Sequence, residues 1–451
     1  MSLALNRAVS LIAFLLTGGS QEGTFREPPV IASRHGELNV TLTAAEVAVN
    51  IGGTRVTAGV YDGSYIPPTL RVRPGDVIRL RLVNRLGDPT NLHLHGMAVS
   101  PGGNSDNVFM HGPAGGALDY EFRIPPGHAA GLYWYHPHPH EHSDDQVRGG
   151  MSGALIVDGL LDSIPALRGV NEHVLLLKDI QIQDGRVVHL GIGKGTVRTV
   201  NGLVNPTLVL HPGETQLWRI GNVGADLFYS LRLDGLSIYE VARDGHRLAR
   251  AVSSGKLWLG PGARREVLVQ AGQPGSFALR TDSIDTGPSG NQYAGTVLAT
   301  VRVEGTPVTR VAIPERLLPV ADLRGSITGR RTIVFSESED GNTFFIDGRT
   351  FDPQRTDVRV KLGAVEVWTI RNESAELHNF HIHQTPFQVT AVNGVPERFL
   401  GYQDIVTVPG RGEVQVIIPF TDPTIVGRFV FHCHLLAHED HGMMATIEVT
   451  R

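Results

Sequence analysis

The sequence predicts an all-β protein of three sandwich or barrel units, and three observations carry this. Strand-like runs are short and are cut by turn signals such as Pro74-Gly75, Pro212-Gly213 and Pro261-Gly262. Long amphipathic helical patterns are hard to find. A weak internal repeat recurs at roughly 140 residues, a length that suits one sandwich domain. The 451 residues are enough for two to four such units.

The repeat is read from matching segments. Pro68-Thr69-Leu70-Arg71-Val72-Arg73-Pro74-Gly75-Asp76 matches Pro206-Thr207-Leu208-Val209-Leu210-His211-Pro212-Gly213-Glu214. Thr356-Asp357-Val358-Arg359-Val360-Lys361-Leu362-Gly363-Ala364 is a looser third copy. Each is preceded by a turn, at Asp62-Gly63, Asn201-Gly202 and Asp347-Gly348. Each is followed by an alternating strand: Val77 to Val83, Thr215 to Ile220, and Val365 to Ile370. Domain ends also align, with Gly131 to His136 matching Gly427 to His432 and, in the middle copy, Gly275 to Arg280. Boundaries fall near Asp158–Pro165 and Gly305–Pro319, the second being a Pro- and Val-rich linker. The expected units are 21–160, 161–312 and 313–451.

Residues 1–20 read as an export signal. Arg7 precedes the short apolar core Ala8 to Leu16, and Thr17-Gly18-Gly19-Ser20 follows. The core is too short to span a bilayer, and no twin arginine is present. A periplasmic or extracellular location is therefore expected. The formal charge of −5 is mildly acidic and gives no reason to expect nucleic-acid binding. A single cysteine excludes an intrachain disulfide.

That cysteine lies in the run His432-Cys433-His434-Leu435-Leu436-Ala437-His438-Glu439-Asp440-His441-Gly442-Met443. Thiolate, imidazole and a weak thioether are the ligands of a mononuclear blue copper site. Cys433, His438 and Met443 recur every five residues, as a strand, a turn and a short helix could place them. On a strand Cys433 would point one way, and His432 and His434 the other. One strand would then serve two metal sites. The bland alternative is a buried thiol beside surface histidines. It requires the histidines and the methionine to fall in register by chance.

Three further clusters support the metal reading: His93-Leu94-His95-Gly96, His136-Pro137-His138 and His378-Asn379-Phe380-His381-Ile382-His383. Each H-x-H pair puts two imidazoles on one face of an extended segment, a spacing that suits two neighbouring metals. In the middle repeat Arg280 and Asp282 stand at the corresponding positions, so that unit is expected to be a spacer and wall without copper.

With these motifs in this order, the chain resembles the multicopper oxidases, specifically the three-domain bacterial laccases. The resemblance implies three cupredoxin-like Greek-key domains and four copper ions. By position, the type 1 copper would be bound by His378, Cys433 and His438, with Met443 axial. The type 2 copper would take His93 and His381. One type 3 copper would take His95, His136 and His434, the other His138, His383 and His432. Asp106 and Glu439 match the family's acidic proton-relay positions, with Asp440 a competitor for the second role. Leu94 and Pro137 depart from residues common in relatives, but neither is a ligand.

The implied reaction oxidises a small donor, one electron at a time, and reduces O2 to water. The implied donors are phenols, aromatic amines or a metal ion. A cuprous or other metal-ion oxidase is the alternative within the class. Six methionines, at 1, 97, 110, 151, 443 and 444, leave no methionine-rich insert, which favours organic donors. A non-catalytic copper or electron-transfer protein would need only the blue site. Complete ligand sets also argue against a metal-free structural relative and against a two-domain nitrite reductase. Met443 as a weak axial ligand implies a low-to-moderate potential. The donor pocket is expected to be shaped by loops near His378, Pro386, Asp404 and His441, and by the middle domain. His140 and His142 read as a polar loop beside the cluster, with an extra rim metal site as the alternative. Met444 reads as core; His111, His128 and His246 receive no role. A monomer is the default, because one chain supplies both cluster-bearing ends.

Overall fold

A computed structural model describes residues 23–191 and 195–451, so the expected signal segment lies outside the described residues. Strand occupies 50% of the chain and helix 5%, which makes the protein all-β. The two α-helices among the described residues are short: α1 is Ser143–Gly149 and α2 is Leu436–Asp440. Among the described residues no helix is long and apolar enough to cross a membrane.

The repeat seen in the sequence is a repeat of strand pairing. Strands Thr69–Val72, Thr207–Leu210 and Val358–Lys361 each lie parallel to the last strand of their unit, Gly153–Val157, Thr296–Val303 and Met444–Thr450. The next strands, Val77–Asn84, Thr215–Asn222 and Ala364–Asn372, each lie parallel to the first long strand, Glu37–Ile51, Asn171–Gln183 and Gly329–Glu337. Gly75, Gly213 and Gly363 occupy positive φ between the two strands of each copy, a turn that glycine makes without steric penalty. Alternation in these strands sends one face inward, as in Val77–Asn84, where Ile78, Leu80 and Leu82 are buried.

Among the described residues six sheets result, and they are not shared evenly. The first and middle repeats contribute to one eleven-stranded sheet, joined where Arg186 bridges Thr57. The third repeat has its own six-stranded and five-stranded sheets. The buried core of the middle repeat runs into that of the third, whereas the first repeat has a separate core around Leu80, Phe122 and Tyr135.

Candidate metal centre

Strand Gly427–Cys433 supplies the end of the metal-binding run. It lies between His378–Ile382 and Met444–Thr450, with Phe380 opposite Cys433 and His381 opposite His432. Alternation then separates two environments. Cys433 turns toward the third repeat's core, while His432 and His434 turn outward with their rings 5.4 Å apart.

In the core pocket, Cys433 Sγ lies 3.5 Å from His378 Nδ1 and 3.9 Å from His438 Nδ1. The two Nδ1 atoms are 3.2 Å apart. Helix α2 carries His438 back to the sulfur, and Met443 follows it, fully buried. The Met443 carbonyl accepts from the Cys433 N–H at 3.1 Å. Ser374 Oγ lies 2.7 Å from His378 Nε2, which leaves Nδ1 for the pocket. Phe344 stacks on the His438 ring at 3.9 Å. Burial pushes the Cys433 thiol well above its usual range and His438 down to about 3. A neutral imidazole is a ready ligand, and a thiolate here requires a cation to stabilise it.

The outward histidines meet those of the first repeat. His93 stacks on His383 at 3.8 Å between ring centroids, and His95 on His381 at 3.9 Å. His432 Nε2 lies 3.3 Å from His138 Nε2 and 3.2 Å from His383 Nε2. His95 Nδ1 lies 3.2 Å from His434 Nε2. His136 Nδ1 is 2.8 Å from the Pro137 carbonyl, which aims Nε2 inward. Eight buried imidazoles therefore line one chamber. Burial lowers all those whose shift is resolved, to about 3 for His136 and about 4 for His138. His93 Nε2, His136 Nε2 and His381 Nε2 are buried with no protein partner. Unpaired nitrogens facing one another at this density fit a cluster of soft or borderline metal ions.

Carboxylates orient the chamber from outside. Both Asp106 oxygens lie 3.0 Å from His93 Nδ1, and Asp106 also accepts from the Leu94 N–H and from Gln384 Nε2. Burial pushes Asp106 up to about 7 against those two donors. Glu439 lies 3.0 Å from His432 Nδ1 and 3.5 Å from His138 Nε2. Burial would raise Glu439, but the two histidines outweigh it and hold it down. Asp440 instead accepts from the backbone N–H groups of Ser143 and Asp144 at the start of α1, away from the histidines.

Asp404 corrects the sequence reading. It was expected at the donor pocket beside His378, but strand Ile405–Val408 runs antiparallel to His378–Ile382 and puts Ile405 opposite His381. Asp404 thus reaches the chamber end, 3.2 Å from His95 Nε2. Arg264, from the middle repeat, holds it through two hydrogen bonds of 2.7 and 2.6 Å. Gly96 makes room for this pair, since a Cβ there would lie 2.4 Å from both Arg264 and Asp404. The middle repeat is therefore a wall that touches the chamber. Arg264 carried no motif; the sequence clue was a charged run, Arg264-Arg265-Glu266, opening a buried strand.

Other candidates lie apart. Arg280 pairs with Asp234, and Asp282 with Arg232 and Lys256, as partly exposed ion pairs. His140 packs edge-on to Phe351, and His441 is exposed at the end of α2. Met444 is core with Val108 and Val430. Missed in the sequence was Glu376, 3.5 Å from His438 Nε2 and hydrogen-bonded to Glu337.

Three family models, each described as multicopper oxidase, match residues 43–161, 134–306 and 328–451. The multicopper oxidase mco of Staphylococcus haemolyticus is 28% identical over 409 residues, covering 86% of this chain and 83% of that protein. The cell division protein FtsP of Escherichia coli K12 is 28% identical over 461 residues, covering 96% and 94%. The structure of a Campylobacter jejuni multicopper oxidase, described as a metallo-oxidase, superposes with a TM-score of 0.84 at 26% identity and covers 96% of each chain. With its threefold strand repeat and its histidine and cysteine clusters, the chain belongs to the multicopper oxidase family and has that family's three-domain cupredoxin-like architecture.

Proposed function

We propose that the protein is a laccase-like oxidase that couples four one-electron oxidations of phenols or aromatic amines to reduction of O2 to water. The observation that carries this is the end of one strand, where Cys433 enters a three-sided pocket and its neighbours His432 and His434 enter the chamber. Copper, when bound, supplies one-electron redox chemistry in the pocket and oxygen reduction in the chamber. His378, Cys433, His438 and Met443 would hold the type 1 ion. His93 and His381 would hold the type 2 ion. His95, His136 and His434 would hold one type 3 ion, and His138, His383 and His432 the other. The close approaches of His138, His383 and His432, and of His95 and His434, support the type 3 sets.

The chain's own residues connect and buffer these sites. Two peptide links join the cysteine to histidines in the chamber, so electrons have a covalent route. His438 is the pocket histidine with exposed surface, 7% of it, and is where a donor would approach. Asp106 and Glu439 hold protons at His93 Nδ1 and His432 Nδ1 and pass them to the chamber. Domain ends at 160 and 312, an export signal at 1–20, a periplasmic or extracellular location and a monomeric state complete the reading. The lone Cys in the ligand run and the completeness of both sites within one chain support it.

A metal-ion oxidase is the second reading. Glu376 beside His438, hydrogen-bonded to Glu337, gives that approach carboxyl groups suited to a cation, and the Campylobacter jejuni relative is a metallo-oxidase. Oxygen uptake by the copper-loaded protein, with a methoxyphenol and with Cu(I) in parallel, decides between them. Faster uptake with the phenol supports the laccase, and faster uptake with Cu(I) the metal-ion oxidase. No uptake with either from a blue protein would leave an electron carrier.

A further inference from the structure

One cleft lies away from His438, which does not line it. It has a volume of about 400 Å³ and runs between the middle and third repeats. Its apolar lining includes Leu257, Leu400, Ile405 and Val406. Trp258 also lines it and is 36% exposed, the one aromatic among the large exposed apolar side chains of the described residues. A volume in this range accommodates a single substituted aromatic ring.

Trp258 also begins a hydrogen-bonded chain. Its Nε1–H donates to Thr407 Oγ1 at 2.9 Å. Thr407 Oγ1 donates to Asn379 Oδ1 at 3.0 Å. The Asn379 backbone N–H donates to Cys433 Sγ at 3.5 Å. Asn379 is fixed from its other side, where its Nδ2–H donates to the Pro261 carbonyl at 2.7 Å. Gly260 permits this approach, because a Cβ there would lie 2.5 Å from Asn379 Oδ1. The cleft is thus wired to the pocket sulfur without passing through His438.

Charge distinguishes the two approaches. The cleft is lined by four cationic side chains, Arg243, Lys256, Arg265 and Arg398, against two carboxylates, Glu240 and Glu397. Arg243 and Arg265 both pair with Glu240, and Lys256 with Asp282. Arg398 is exposed and forms no ion pair among the described residues. The approach to His438 carries instead a pair of hydrogen-bonded carboxyl groups, Glu376 and Glu337.

We propose that this cleft is a second electron-entry site, taking aromatic donors that carry a carboxylate or sulfonate group. This rests on the oxidase reading above. The ring lies against Trp258 and the anionic group meets Arg398. A bound phenolic acid loses one electron along Trp258, Thr407 and Asn379, and its phenolic proton goes to water. Copper bound at Cys433 would accept that electron, with O2 as the final acceptor.

Binding is tested first, by calorimetry on the copper-loaded protein with dimethoxybenzoate, which has no phenol to oxidise. Saturable binding that weakens about tenfold in Arg398→Glu is expected, since that change reverses a charge near the surface. No saturable binding, or binding indifferent to Arg398→Glu, overturns the site. The route is tested by anaerobic bleaching of the blue band, with a methoxyphenol carboxylate and with the neutral methoxyphenol. The ratio of the two rates should fall several-fold in Trp258→Phe, which keeps the ring and removes the N–H. An unchanged ratio overturns the route. If the wild-type protein consumes O2 with neither neutral phenol nor Cu(I), the oxidase reading fails instead, and the calorimetry still reports on the cleft.

Discussion

The pocket at Cys433 draws all of its side chains from the third repeat, whereas the chamber takes four histidines from the first repeat and four from the third. The pocket is completed by local chain: a strand, α2 and the turn to Met443. Phe344, Phe335 and Ser374 pack around it from the same repeat. The chamber has no such local origin. Its histidines meet only when the ends of the chain meet, and Arg264 of the middle repeat braces it. The pocket's fit is thus a property of one domain and the chamber's a property of the assembly.

The sharpest break in this comparison is Cys433→Ser. It should abolish the blue absorption and donor-driven oxygen uptake, while metal analysis still finds chamber copper. Loss of all copper would show that the two sites are not built independently. Next is Asp106→Asn, which should slow oxygen reduction by about 10²-fold or more while donors still bleach the blue band. Equal slowing of both half-reactions would remove Asp106 from proton delivery.

Arg264→Leu should act on the chamber's brace. It leaves Asp404 buried without its guanidinium partner, a loss worth about 3–5 kcal/mol of stability. Denaturant titration reads the stability, and chamber copper should be depleted before pocket copper. A stability loss of under about 1 kcal/mol would mean the pair behaves like a surface ion pair. The smallest effect, counted per site, is that of copper removal by a chelator. At free copper a hundredfold above its Kd, linkage gives about 3 kcal/mol per site bound only by the folded chain. Calorimetric melting should show most of this loss retained in Cys433→Ser, since the chamber joins separate repeats.

The pocket was more legible in sequence than the chamber's surroundings, for the same reason. His432, Cys433, His434, His438 and Met443 lie in one short run, where the alternation of a strand and the turn after it are local facts. The H-x-H pairs were equally local, and their rings lie 5.1–5.9 Å apart as an extended segment requires. The threefold frame was visible because each copy needs the same Gly-containing turn. Asp404 was misplaced because its role depends on strand direction, which the order of residues does not reveal. Arg264 lies 140 positions from Asp404, and Glu376 meets His438 across 62. No spacing rule links such pairs; only the register of neighbouring strands brings them together.

The sheet that runs through the first two repeats stops before the third. Among the described residues, backbone hydrogen bonds tie the first repeat to the middle one, as Gly52 to Gly202, and the middle to the third, as Ala249 to Leu400. None joins the first repeat to the third. The two walls that face each other across the histidines are therefore held by side chains alone, including Gln384 on Asp106 and Asp440 on the start of α1. The chamber is a seam without stitching in its own backbone, and the ions of the proposed reading would be its thread.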